Sequence, residues 1–72
     1  MSFSTEEQTT AAIEAWRPDP PLAQRKEIQL AIESLELSQM YYEQKGNEQG
    51  IARAGRCIAL LRTRLAELGA GQ

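Results

Sequence analysis

Six apolar residues, Ile51, Ala54, Ile58, Leu61, Leu65 and Leu68, follow one another at alternating steps of three and four. In an α-helix that spacing sets all six on one stripe for about three heptads. Such a stripe has to be buried, so the chain must supply a partner helix of similar length. From about residue 20 to Lys45 nothing breaks a helix once Pro20 and Pro21 have opened it, and good helix formers dominate. Within this segment Ile28, Ala31, Ile32, Leu35 and Tyr42 form a matching stripe, and the connecting KGN is too short for anything but an antiparallel return. The fold class follows: all-α, a long antiparallel helical hairpin preceded by a short N-terminal helix.

The boundaries have local causes. Ser4 followed by Glu7 is a capping box, which predicts a first helix over about 5–16 with Ala12, Ile13 and Trp16 as its apolar positions. The stretch RPDPP at 17–21 ends it, because Pro18 and Pro20 push the residues before them out of the helical region. Pro20 and Pro21 then suit the first turn of the next helix behind an Asp19 cap. Gly46 fits the left-handed residue that stops the second helix, Asn47 caps the third, predicted over 48–68, and 69–72 read as a frayed tail. All 72 residues make one small helical domain.

The second helix carries a further apolar row. Ala23, Leu30, Leu37 and Tyr41, flanked by Leu22 and Met40, recur about half a turn away from the stripe that faces the hairpin. One hairpin cannot bury both sides. The expectation is that Ile13 and Trp16 fold back over part of this row and that a second chain covers the rest, giving a homodimeric helical bundle of four hairpin helices. A 72-residue chain with one cysteine has no internal disulfide to stabilise it, so oligomerisation is the ordinary remedy. The competing reading is a three-helix bundle whose central helix is apolar on both sides with no partner implied.

Several chemistries lack their residues. The chain has no histidine, the commonest zinc ligand and general base, and Cys57 is its only thiol, read as a small buried hydrophobe. The pairs Glu33 with Glu36 and Glu6 with Glu7 read as solvated carboxylates on helix surfaces. No enzymatic activity, metal or cofactor is expected. A net charge of −2 gives no overall attraction to nucleic acid or anionic membrane, and no apolar run approaches the roughly 20 residues that cross a bilayer. The acidic start MSFSTEEQTT is unlike a secretory signal, which points to the cytoplasm.

Charge is unevenly distributed. Residues 1–20 hold Glu6, Glu7, Glu14 and Asp19 against Arg17, whereas residues 48–72 hold Arg53, Arg56, Arg62 and Arg64 against Glu48 and Glu67. On the third helix Arg53, Arg56, Leu60 and Arg64 are read as one face opposite the apolar stripe, either solvated or a site for an acidic partner. Met40, Tyr41 and Tyr42 gather aromatic and adaptable contact area at one end of the hairpin, with Tyr42 assigned to its core and Tyr41 to the second row.

The run LSQMYYEQKGNEQGIARAGRCIALL resembles the hairpin of a tetratricopeptide repeat, with a tyrosine four residues before a glycine, then asparagine, then small residues on the second helix. It covers about one repeat, and it departs from that family at Ser38 or Gln39, where a glycine is expected, and at Ile51, where a small residue is expected. The resemblance is treated as convergent hairpin chemistry compatible with a small chaperone or adaptor.

The function expected is protein binding: a small regulator or inhibitor, of the bacterial or phage type by analogy of size and class, that occludes a larger protein. Two alternatives are an oligomer whose arginines and tyrosines enclose a nucleotide or other small anion, and a secretion or assembly co-chaperone.

Overall fold

The computed structural model describes residues 5–70, Ala70 by its backbone alone. Three helices account for nearly all of it: α1 (Glu6–Trp16), α2 (Pro21–Lys45) and α3 (Glu48–Ala70). No strand occurs among the described residues.

Ser4 lies outside the described residues, and the cap they contain is Thr5, whose Oγ1 accepts a hydrogen bond from the Gln8 amide at 3.1 Å. Thr5 and Gln8 reproduce the capping-box spacing one residue later than Ser4 and Glu7. Pro21 opens α2, where its missing N–H costs nothing. The predicted Asp19 cap is not used: Pro20 occupies the capping position, with no side-chain hydrogen bond there.

The turn between α2 and α3 is fully accounted for. Gly46 has φ +69°, its amide donates to the Glu43 carbonyl at 3.2 Å, and the Asn47 amide donates to the Tyr42 carbonyl at 2.9 Å. This is the Schellman pattern, which requires a left-handed residue where Gly46 stands. Asn47 at once caps α3, its Oδ1 accepting from the Gly50 amide at 3.0 Å. The far end of α3 corrects the expected tail: Gly69 and Ala70 continue the helix, since a single glycine in the last turn is tolerated.

Specific side-chain contacts join α2 to α3. The Tyr42 ring faces Gly50, the Gln39 amide donates to the Ile51 carbonyl, and Gln24 meets Arg64. At Gly50 the approach is close, because a Cβ there would stand 2.6 Å from the Tyr42 ring. Only glycine admits the ring.

The buried cluster draws Ile28, Ala31, Ile32 and Leu35 from α2 and Cys57, Ile58, Leu61 and Leu68 from α3, with Ile13 from α1. Trp16, Leu60 and Leu65 pack against it half-buried, and Tyr42 and Ile51 are half-buried near the turn. Here the expected placement of α1 is corrected. α1 packs on α3 and leaves the second apolar row of α2 uncovered. α1 buries Thr9, Ala12 and Ile13, and its Glu6 pairs with Arg56 of α3.

Candidate interaction surface

The four residues read as an arginine face do lie along one side of α3, but they flank the apolar stripe and do not oppose it. Arg53, Leu60 and Arg64 are half-buried, and only Arg56 is exposed. Leu60 belongs to the packing around the core. The Arg56 guanidinium donates through Nε to Glu6 of α1. The Arg64 side chain, 15 % exposed, donates through Nη2 to the Gln24 Oε1 and through Nη1 to the Glu67 carboxylate, both at 3.1 Å. Arg62 points elsewhere and pairs with Glu36 on α2 at 3.4 Å. The basic C-terminal half and the acidic N-terminal half of the sequence thus satisfy each other in part. Three arginines aimed at partners on three elements do not converge on one anion.

Two buried polar residues had no signal in the apolar pattern. Gln24, buried on α2, donates through Nε2 to the carbonyls of Arg17 at 3.2 Å and Asp19 at 2.7 Å while its oxygen receives Arg64. That one amide holds the proline linker to both long helices. Thr9 is completely enclosed; its Oγ1 donates to the Thr5 carbonyl at 3.0 Å, so the hydroxyl is satisfied within α1 and the methyl packs. A threonine at helical spacing before Ala12 and Ile13 was the available hint, and glutamine offered none.

Cys57 is a free, fully buried thiol, as read from its position at the edge of the stripe. No group of three or more metal-ligating side chains gathers among the described residues, and no described helix is long and apolar enough to cross a membrane.

What remains open is the outward side of α2. Leu22, Leu30, Leu37, Met40 and Tyr41 are all exposed, from 53 % for Leu30 to 76 % for Leu22, and they are the large apolar side chains that the described residues leave in water. All five stand on this one helix. At 100° per residue they fall within roughly 80° of Leu30, about half a turn from Ile28 and Leu35, which face α3. Glu33, Glu36, Leu37, Gln39 and Met40 border a shallow depression on the same helix. At the end of the row the Tyr41 ring meets Tyr42 edge-on, with centroids 6.0 Å apart, and the Lys45 ammonium sits 5.6 Å above it. These contacts hold Tyr41 in place while leaving its outer edge accessible.

Comparisons with protein-family models, with curated proteins and with solved structures return no match for the chain.

Proposed function

We propose that the protein is a non-enzymatic protein-binding module, a small regulator that acts by covering a surface of another polypeptide. In this reading α2 and α3 are an antiparallel hairpin serving as a rigid scaffold, α1 clasps the α3 side, and the outward face of α2 is the working surface. The observation that carries it is the concentration of every large exposed apolar side chain of the described residues on that one face. Large apolar side chains gathered on one helix face, with none exposed elsewhere among the described residues, support an interface there. Leucine, methionine and tyrosine side by side give both anchoring area and adaptability to a partner's shape.

The half-burial of Arg53, Leu60 and Arg64 moves the binding surface away from α3. It also weakens the anion-enclosing alternative, because the Arg56 guanidinium is committed to Glu6 and that of Arg64 to Gln24 and Glu67.

The test compares three baits in an extract of the native host: the wild type, Leu30→Asp/Leu37→Asp, and Arg56→Ala. The expected result is a retained protein common to wild type and Arg56→Ala and lost with the double variant, while all three keep the same helicity. Identical retention by all three would remove α2 as the working surface.

A further inference from the structure

The outward face of α2 has a symmetry that goes beyond its exposure. Ala23 and Leu37 stand equally far from Leu30 along the helix, one on each side, and Leu22 and Met40 are almost equidistant from it on one flank of the row. Lys26 and Glu33 share that flank, one on each side of Leu30. From this arrangement we infer that the face is built to receive a second copy of the same chain. The two α2 helices run antiparallel, and the two-fold axis passes at Leu30. The inference rests on the reading of α2 as an interaction face and names its resting occupant, which a target polypeptide would displace.

In that register Leu30 meets the partner's Leu30, Leu37 meets the partner's Ala23, and Met40 lies beside the partner's Leu22. Tyr41 reaches the partner's Pro20. The remaining offsets are one or two residues, about 1.5–3 Å along the axis, which side chains absorb. An interface of this symmetry is self-complementary, each contact occurring twice.

Charge selects the antiparallel alignment. Lys26 comes opposite the partner's Glu33 and, one turn on, Glu36. A parallel pairing would put the two copies of this flank on opposite sides of the seam and lose the pairing of Lys26 with Glu33. The antiparallel order also aligns the helix dipoles favourably. Because the outward row lies half a turn from the stripe that faces α3, the assembly is a flat stack in the order α3, α2, α2, α3. A square four-helix bundle would need the two rows closer together on the helix. α2 spans almost the whole 40 Å length of the molecule, so the seam runs nearly end to end.

The test uses full-length protein and two independent readouts. Sedimentation equilibrium is run on the wild type, Lys26→Glu, Glu33→Lys and the double exchange. The wild type is expected to dimerise, each single reversal to raise the dissociation constant about tenfold because the axis repeats the change, and the double exchange to restore it. In a Cys57→Ala background, Leu30→Cys is expected to oxidise to a covalent dimer. Leu37→Cys is expected to do so only when mixed with Ala23→Cys.

A dimer that Leu37→Glu dissociates but that ignores the charge exchange, or whose Leu30→Cys variant stays uncrosslinked, overturns the antiparallel register and leaves α2 as the interaction face. A monomeric wild type overturns the second copy as occupant, and the extract comparison then decides the face by itself. A dimer indifferent to Leu37→Glu and Lys26→Glu alike removes the α2 face from both readings.

Discussion

Gln24 and Arg64, separated by 40 positions, are joined by a 3.1 Å hydrogen bond from the guanidinium to the amide oxygen. The same amide donates to the carbonyls of Arg17 and Asp19. A single buried side chain therefore links the proline linker, α2 and α3. The Arg64 Nε beside it is buried without a partner, so the junction already carries one unmet donor.

Gln24→Leu, of similar size but without the polar atoms, is expected to destabilise the fold by about 1–3 kcal/mol, the cost of removing three hydrogen bonds at a partly buried junction. For a domain of this size that lowers Tm by about 4–8 °C per kcal/mol. Thermal unfolding followed by circular dichroism checks it, and an unchanged Tm would contradict the linking role.

The arginines should separate by burial. Arg56→Ala removes an exposed ion pair with Glu6 and is expected to cost less than about 1 kcal/mol, the less so at high salt. Arg64→Ala, from a side chain 15 % exposed, is expected to cost about 1–3 kcal/mol with little salt dependence. Urea titrations at low and high ionic strength distinguish the two.

Three glycines should answer substitution by alanine with different signs. At Gly50 a Cβ would meet the Tyr42 ring at 2.6 Å, so the variant is destabilised despite the roughly 1 kcal/mol that alanine gains over glycine inside a helix. At Gly55 the nearest neighbour, the Gln39 amide nitrogen, is 3.4 Å away, an ordinary contact, and the same exchange is expected to stabilise by up to about 1 kcal/mol. At Gly46 the backbone with φ +69° makes it cost about 1–2 kcal/mol. Ranking the three by denaturant midpoint tests the turn and the Tyr42 contact together.

Cys57 reports on α1. An 11-residue helix is too short to persist alone, so α1 owes its order to Thr9, Ala12, Ile13 and Trp16 packing on α3. Cys57 sits on α3 between Ile58, on the core side, and Arg56, which holds Glu6. Ile13→Ala is therefore expected to raise the rate of Cys57 alkylation at least about tenfold through local opening. Leu37→Glu, on the far side of α2, should leave that rate unchanged. Equal acceleration by both would mean that the thiol is reached only by global unfolding.

The long helices were legible because their signals are local. The three-and-four spacing from Ile51 to Leu68, the prolines before Leu22 and the glycine and asparagine of KGN each act within a turn or two of the chain. The covering of Arg53, Leu60 and Arg64 was not legible. Periodicity says which residues form a row, but which helix lies over that row depends on distant pairs such as Glu6 with Arg56. Gln24 and Thr9 escaped for a related reason, since a polar side chain can be buried wherever tertiary neighbours or its own helix satisfy it, and no apolar pattern records that. Nothing in the sequence around Gly50 marks the Tyr42 ring that lies against it. The second row on α2 was visible in the sequence, and its exposure follows from α1 having gone to α3.

The outward face of α2 is the centre of this account, and solution mass is its most direct test. Light scattering of the wild type should give close to twice the chain mass of 8.0 kDa. Leu37→Glu should give a folded monomer of 8.0 kDa with undiminished helicity. A wild type that stays at 8.0 kDa at the same concentration would contradict a second copy as the occupant of this face, and a dimer that the substitution leaves intact would contradict the face itself.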